Sequence, residues 1–431
     1  MGAESTTEMI LRQDIRAALA GDPDLWRDFA TLCDFGGRLS GTQSERQALA
    51  FLRTRGAEAS GVPCRAVPVR YHGWRARHAR LILADGSAAR CHPLVRSIAT
   101  PAAGLTAEVV DLGRGTPEEF AAHGQELAGR IALVRHELMF AAGTIHRRRK
   151  VMMAREAGAV GFLIAGPLPG ACVAGSSGRD GADGIPAAGI APETAARLAR
   201  TRAGWPRVTL TIETEEAPAE TETLLFDIAG RTDEWIVLSA HVDGHDLAES
   251  AIDNATGVAA ALAVTRAVAA HVAPLRRGLR VAFFSVEEWA LLGSAQYVAG
   301  LDQRERDAIA LNVNLDSIAG GASLTAMTSG FAGLEPFLLA VAAANGQALR
   351  CVRPLMMNSD HGNFAVAGIP AFRLVAGYDD PGANTRFVLT PSDTRDKVTP
   401  AELAAATELS AAVIMAGCDA EEVEVRGWRG K

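Results

Sequence analysis

Apolar runs of strand length alternate with helix-like segments along the second half of the chain. Residues 235–238 (WIVL) have the length and composition of a strand buried on both faces, and the runs that precede Glu287 and Asp316 are of the same kind. Helices are predicted at 254–271, 290–299, 332–345 and 400–415. Strands that alternate with helices predict an α/β fold, with a mainly parallel, mixed sheet covered by helices on both faces.

The first half of the chain has a different order of elements. Helices are predicted at 7–20, 23–34 and 44–55, followed by strands at 67–74 and 79–85 that the turn pair Asp85-Gly86 closes. Between residue 101 and about residue 206 the pattern changes to short apolar runs, helices and a glycine-rich loop. This loop lacks the Lys-Ser/Thr pair of a phosphate-binding loop. A second pair of strands, 207–214 and 223–230, leads back to the run at 235.

Length and charge narrow the class of protein. At 431 residues the chain is longer than one hydrophobic core usually holds, so we expect two domains or one domain with an insertion. The net charge of −7 leaves no basic footprint for nucleic acid, and the one basic cluster, 146–150 (HRRRK), is interpreted as a solvated helix face. The six cysteines form no CxxC pair, and the N-terminal segment lacks the apolar core of a signal peptide. We therefore expect a cytoplasmic protein with reduced thiols and no membrane partner.

Polar residues with metal-binding side chains end three of the apolar runs. His241 and Asp243 follow the run at 235 and share one side at a spacing of two, while Glu287-Glu288 and Asp316 end the other two runs. The carboxyl ends of parallel strands form the ligand crevice of an open α/β sheet. An imidazole and carboxylates placed together suit a divalent metal, with one group able to orient the ring of another.

Each of these residues also has a purely structural interpretation. Asp253-Asn254 could cap the following helix, and Glu287-Glu288 could complement the dipole of the next one. A histidine after a strand is more often a hydrogen-bonded loop residue than a ligand. Four such coincidences at strand ends are less probable than one metal site, so the pattern favours the metal site.

Six short blocks then carry a resemblance to a known family. They occur in order within residues 221–418: HVD, AIDNATGVAAAL, FFSVEEWALLGS, NVNLDSIAG, SDHGNFAVAGIPAF and TPSDTRDKV. Together they resemble the zinc-dependent aminopeptidase family that includes bacterial leucyl aminopeptidases and the ectodomain of the transferrin receptor. Residues 36–61 resemble the entry segment of its catalytic domain, and the glycine-rich part resembles an inserted protease-associated domain. The resemblance implies N-terminal helices and the start of the catalytic domain at 1–95, the insertion at 96–206 and the main catalytic part at 207–431.

The resemblance also implies roles for individual residues. His241, Asp253 and Asp316 match the ligands of one metal, with Asp253 at the position that bridges to a second metal. Glu288 matches a ligand of that second metal, and Glu287 matches the general base. The other two matches are Asp243, as the carboxylate that orients the imidazole, and His361, as a residue near the substrate. A divalent ion lowers the pKa of bound water, and a nearby carboxylate can then accept its proton.

One block departs from the family pattern. The family has a histidine directly before the Thr of the last block, where this chain has Leu389. Leucine cannot bind a metal, so the second site would keep too few ligands. We therefore predict one divalent metal per chain, held by His241, Asp253 and Asp316 with Glu288 adjusting, unless His245 or His361 substitutes. With one imidazole and otherwise oxygen ligands, the ion could be Mn, Zn, Co or another transition metal.

Losing the second metal makes ordinary aminopeptidase activity doubtful. The favoured hypothesis is a homo-oligomeric aminohydrolase that replaces an amino group of a small, carboxylated aromatic amine, such as 5-nitroanthranilate, by hydroxyl. Arg386 or Arg373 would bind the carboxylate, since a guanidinium does so in bidentate fashion. Two alternatives stay open: a metallo-aminopeptidase that releases N-terminal amino acids, and a metal-free binding or assembly protein.

Overall fold

The computed structural model describes residues 10–179, 181–200 and 204–430. Its strands are β1 Arg65–Leu83, β2 Ala88–Ala89, β3 Cys91–Pro93, β4 Leu105–Asp111, β5 Ile131–Arg135, β6 Gly161–Ala165, β7 Ala187–Ile190, β8 Arg207–Ile228, β9 Trp235–His241, β10 Gly278–Phe284, β11 Ile309–Leu315, β12 Leu324–Met327, β13 Leu349–Val352 and β14 Ala371–Ala376. Its α-helices are Gln13–Ala20, Asp24–Asp34, Gln43–Ser60, Pro117–Leu127, Arg147–Glu156, Pro192–Leu198, Thr256–Val272, Leu292–Gly300, Gln303–Ala308, Glu335–Ala344, His361–Val366, Pro400–Asp419 and Glu422–Trp428.

All the described strands join one sheet. The order along its main path is β13-β12-β14-β11-β9-β10-β8-β4-β5-β6-β7-β3, and β1 with β2 pairs beside β8. The centre, β14-β11-β9-β10, is parallel, while β8 runs antiparallel to β10 and β12 runs antiparallel to β14. This confirms the predicted mixed, mainly parallel α/β fold, and it brings the carboxyl ends of β9, β10 and β11 to one edge.

Two predicted pairs of strands are each one long strand. Residues 67–74 and 79–85 belong to the continuous β1, and residues 207–214 and 223–230 belong to the continuous β8. The two strands pair antiparallel from Arg65 opposite Leu225 to Leu83 opposite Val208. The polar residues that suggested breaks lie where this ribbon is exposed, because pairing rather than burial stabilises it there. The predicted turn at Asp85-Gly86 is confirmed between β1 and β2.

The helix predictions of the catalytic part hold to within a few residues. The helix predicted from 254 begins at Thr256 after an irregular turn, Ala251–Ala255, and the one predicted from 290 begins at Leu292. Of the helix predicted at 7–20, residues 7–9 lie outside the described part, and the helix itself begins at Gln13. These shifts matter for the site, since they place acidic residues before helices rather than in their first turns.

Two long apolar helices pack on the central strands. Ala251–Val272 and Pro400–Asp419 have the length and apolar composition of membrane spans, and 72% and 61% of their apolar windows are buried inside the fold. Burial of this extent is what the core helices of an α/β layer require. The two helices also contact each other, so the sheet edge that carries the candidate ligands rests on a packed layer.

Candidate metal centre and active site

Three predicted ligands meet at the carboxyl edge of the sheet. His241 is the last residue of β9, Asp316 directly follows β11, and Asp253 lies in the turn Ala251–Ala255. Ligand atoms of these three side chains all lie within 4.8 Å of one another, and all three residues are buried. Among the residues that the structure describes, they form the only such group of histidine, cysteine and carboxylate side chains.

The ring of His241 is fixed for binding a cation. Its Nδ1 donates to the main-chain carbonyl of Asp243 over 2.9 Å, so the other ring nitrogen, Nε2, faces the two carboxylates. Nε2 lies 3.1 Å from Asp253 Oδ1 and 3.6 Å from Asp316 Oδ2, yet it is buried without a hydrogen bond. A buried imidazole nitrogen between two carboxylates fits one divalent metal ion.

Asp243 has two tasks, only one of which was predicted. It orients the imidazole as expected, but through its main-chain carbonyl rather than its carboxylate. The carboxylate instead accepts the main-chain N–H groups of Glu287 at 3.0 Å and Glu288 at 3.1 Å. Asp243 therefore connects the loop after β9 to the loop after β10, and it positions both glutamates.

Asp253 and Asn254 have different roles just before the helix Thr256–Val272. The side-chain oxygen of Asn254 accepts the N–H of Gly257 at 3.0 Å, so Asn254 rather than Asp253 caps the helix. Asp393 holds the turn by accepting the N–H groups of Ile252 at 2.7 Å and Asp253 at 3.3 Å. The carboxylate of Asp253 is thereby left to face His241.

Glu287 and Glu288 lie in the loop between Phe284, where β10 ends, and Leu292, where the helix begins. They are therefore not the first-turn acids of a helix. Both line a small cavity, the inner pocket, with Asp253, Asp316 and two residues of the insertion, Arg147 and Arg148. Burial raises the pKa of Glu287 well above its usual range. Burial and the charge of Asp253 raise the pKa of Glu288 to about 8, and its Oε1 has no hydrogen bond.

Arg373 does not have the predicted role of binding a substrate carboxylate. Its buried guanidinium lies 2.9 Å from Asp316 Oδ1 and also donates to the main-chain carbonyl of Asp316 at 3.2 Å. It packs on the ring of Phe140 at 4.8 Å. Although burial alone would raise the pKa of Asp316, the charge of Arg373 keeps it below the usual range. Arg373 is thus a positioning residue for a metal ligand.

Three further predicted residues do not reach the metal group. Arg386 lies outside the inner pocket, where it stacks on Phe387 at 4.5 Å and donates to the carbonyl of Gly382. The Nε2 of His245 faces Asp393 at 3.8 Å. His361 is fully buried, and neither ring nitrogen has a hydrogen bond in the described part of the chain. The substrate contact of Arg386 stays a prediction, and neither histidine joins the metal group.

Leu389 lies at the inner pocket, where the family pattern has its histidine. Leu389 is 2% exposed, and its backbone φ of +64° is in the left-handed region. The carbonyl of Leu389 accepts the N–H of Ala174 at 2.8 Å, so this turn also contacts the insertion. The second metal position keeps Asp253 and Glu288 beside an apolar side chain.

The basic cluster 146–150 is not the solvated helix face that its charge suggested. The helix begins at Arg147, which is 6% exposed, and Lys150 is 1% exposed, while Arg149 is exposed. Lys150 pairs with Glu137 at 2.5 Å. A run of like charges does not reveal which side of a helix packs, because that depends on the partner surface. Sequence reasoning therefore missed Arg147 and Arg148 as residues of the site.

Comparison with known proteins agrees with this geometry. Residues 223–414 match Peptidase family M28, and residues 93–198 match the PA domain. The second half of the chain is therefore similar to Peptidase family M28, and the segment before it is similar to the PA domain. The expected resemblance is confirmed.

Relatives of known name are aminopeptidases. A probable lipoprotein aminopeptidase LpqL of Mycobacterium tuberculosis is 26% identical over 321 residues, which are 69% of this chain and 61% of that protein. A probable leucine aminopeptidase 2 of Trichophyton verrucosum is 28% identical over 224 residues, which are 52% of this chain and 43% of that protein. This chain thus spans about half the length of these relatives.

Two solved structures share the whole fold. A Peptidase M28 precursor from Shewanella amazonensis has a TM-score of 0.78 at 21% identity, with 97% of each chain covered. BSAP, a zinc aminopeptidase from Bacillus subtilis, has a TM-score of 0.71 at 22% identity, with 93% of this chain and 96% of that chain covered. At these identities the likeness establishes the fold.

Proposed function

We propose that this chain is an aminopeptidase for small peptides that works with one divalent metal ion. The observation that carries the proposal is the group of His241, Asp253 and Asp316, whose two carboxylates line the same pocket as Glu287. The names of the relatives support the peptidase reaction. The same group speaks against a metal-free binding protein, because two buried carboxylates that converge on one imidazole nitrogen are typical of a cation site.

The residues of the site have separate tasks in this reaction. His241, Asp253 and Asp316 would hold the ion, which when bound lowers the pKa of water and polarises the scissile carbonyl. Glu287 would accept a proton from the attacking water and deliver it to the leaving amine. Its burial suits a general base, since burial raises the pKa of Glu287 and makes it a stronger proton acceptor than an exposed glutamate. Asp243 keeps Glu287 in place through the main chain.

Leu389 supports one ion rather than two. Without a histidine at this position the second ion would have only Asp253 and Glu288, fewer protein ligands than a stable zinc site has. The zinc in the name of the Bacillus subtilis enzyme favours zinc for the retained site. Manganese and cobalt also accept this combination of one imidazole and carboxylates.

Leu389 also keeps a second candidate function open. A site with one ion lacks the pair of cations that would hold both the amine and the carbonyl of a peptide. It could instead remove the amino group of a small carboxylated aromatic amine, such as 5-nitroanthranilate, by hydrolysis. The relatives favour the peptidase, so the aminohydrolase is the second candidate.

One experiment separates the two candidates. The protein is stripped of metal, reloaded with zinc or manganese, and its metal content is measured by elemental analysis. It is then given leucylglycine or 5-nitroanthranilate. One ion per chain with release of leucine supports the proposal. Release of ammonia from 5-nitroanthranilate, without release of leucine, would reject it in favour of the aminohydrolase. The cytoplasmic location, the homo-oligomer and the absence of membrane and nucleic-acid partners stay predictions.

A further inference from the structure

Arg147 is a buried cation that the roles described so far do not use. It is 6% exposed at the start of the helix Arg147–Glu156, and it lines the inner pocket with Glu287 and Glu288. Its Nε donates to the carbonyl of Ser176 at 2.8 Å, which fixes the guanidinium. Within the part of the chain that the structure describes, its Nη1 is buried without a hydrogen-bond partner. A donor of this kind is expensive to bury unless a ligand accepts from it.

Two glycines of the insertion make room for the basic residues. A Cβ on Gly175 would lie 2.2 Å from Nη2 of Arg147, and a Cβ on Gly178 would lie 2.7 Å from Cβ of Arg148. Both glycines have positive φ, +104° and +74°. The glycine-rich loop of the sequence is therefore a close-fitting seat for two arginines. Arg148 is also held by the carbonyl of Met357.

The charge of Arg147 lies in the inner pocket with Glu288, the residue that the family pattern gives to the second metal. Burial lowers the pKa of Arg147 to about 10, so the group stays charged at neutral pH, and among nearby acids Glu288 acts on it most strongly. Leu389 lines the same pocket. A guanidinium has a planar fork of donors that matches a carboxylate, and it offers nothing to a substrate ammonium.

A wider cavity, the outer cleft, adjoins the inner pocket. It has a volume of about 990 Å³ and shares His146, Arg148 and Leu291 with the inner pocket. Among the residues that the structure describes, its charged lining is mostly basic: Arg148, Arg149, Arg155 and Arg179 against one acid, Asp183. A cleft lined by one sign of charge concentrates ligands of the opposite sign.

We propose that Arg147, with Arg148 beside it, binds a carboxylate of the substrate. The inference rests on the proposed function and narrows its substrate class to compounds with a carboxylate close to the scissile C–N bond. A dipeptide has its C-terminal carboxylate at such a distance, and an aminobenzoate has its ring carboxylate there. The inserted domain then contributes to substrate selection as well as covering the site.

The test compares acids with their amides in a protein that binds but does not turn over. Zinc-loaded Glu287→Gln protein is titrated by calorimetry with leucylglycine and leucylglycinamide, and with 5-nitroanthranilate and its carboxamide. Each pair differs only in the carboxylate. We expect at least one acid to bind about tenfold or more tightly than its amide, as for a charge-assisted bidentate contact. Arg147→Met in the same background should reduce that preference to about twofold or less.

Controls separate this inference from general effects. Arg197→Met removes an exposed arginine of the insertion outside both cavities and should keep the preference. Because the preference is a ratio within one preparation, partial unfolding of a variant does not imitate its loss. Equal affinities for acid and amide in both pairs would overturn the inference, as would a preference that Arg147→Met leaves intact. A preference that depends on Arg147, in a wild-type protein that hydrolyses none of the compounds, would support the inference and reject the proposed function.

Discussion

The metal group and the arginine seat, which is Arg147 and Arg148 against Gly175 and Gly178, face the inner pocket. They come from different parts of the chain. Two ligands of the metal group, His241 and Asp316, lie at the ends of strands β9 and β11. The third, Asp253, lies in the turn Ala251–Ala255, and all three fall within 75 positions of one another in the chain. The arginine seat comes from the inserted domain, about a hundred residues earlier. The two proposals thus assign hydrolysis and substrate choice to separate parts of this protein. We expect a substitution in one part to change its own property and leave the other property unchanged.

The largest expected effect is the loss of catalysis when the general base is replaced. Glu287→Gln should lower kcat for the accepted substrate by about 10²–10⁴-fold, because the general base is lost. Zinc content, measured by elemental analysis, should stay at the wild-type value, since Glu287 is outside the group of three ligands. Glu118→Gln, at an exposed glutamate, is the control. A loss of zinc in Glu287→Gln would show that Glu287 is a ligand instead.

A second prediction compares the two arginines first considered for substrate binding. Arg373→Met should weaken zinc binding by about 10–100-fold, because the contact that orients Asp316 is removed. Arg386→Met should bind zinc like the wild type, since Arg386 only contacts its own loop. Zinc affinity is measured by competition with a chromophoric chelator. Equal zinc affinities in the two variants would contradict the positioning role of Arg373.

A third prediction concerns the glycines of the insertion that contact Arg147 and Arg148. Gly175→Ala should remove the preference for acid over amide, because its Cβ would displace Arg147, and zinc content should not change. Gly170→Ala is a matched control in the same insertion, with φ +71° and no atom near its Cβ. Its backbone strain should reduce stability by about 1 kcal/mol. If both variants keep the preference, the glycine seat does not position Arg147.

The smallest expected effect concerns the second metal position. The double variant Leu389→His with Arg147→Met should bind a second zinc ion weakly, since it regains a ligand and loses a competing cation. Leu389→His alone should keep one ion, because Arg147 already neutralises part of the charge of Glu288. Elemental analysis after dialysis counts the ions. Two ions in the wild-type protein would mean that Leu389 does not limit the site.

Much of the fold could be predicted because its signals are local. The apolar runs at β9, β10 and β11 carry their own burial pattern, and the acids after them mark the edge of the sheet. Predictions were wrong where pairing decided the structure. The exposed middle of β1 and β8 has no burial pattern, so one long ribbon was divided into four strands. Arg386 was chosen by its nearness to the last block in the sequence, which does not report the direction of a side chain.

The sequence by itself determined the α/β class, the edge at which the ligands meet, and the absence of a histidine at Leu389. These depend on residue type and on periods that neighbouring residues share. Only the tertiary structure decided which cations face the site. In the folded chain Arg373 contacts Asp316, and Arg147 lines the inner pocket. The physical reason is that the direction of a charged side chain depends on distant surfaces that bury or pair it, and those surfaces exist only after the chain has folded.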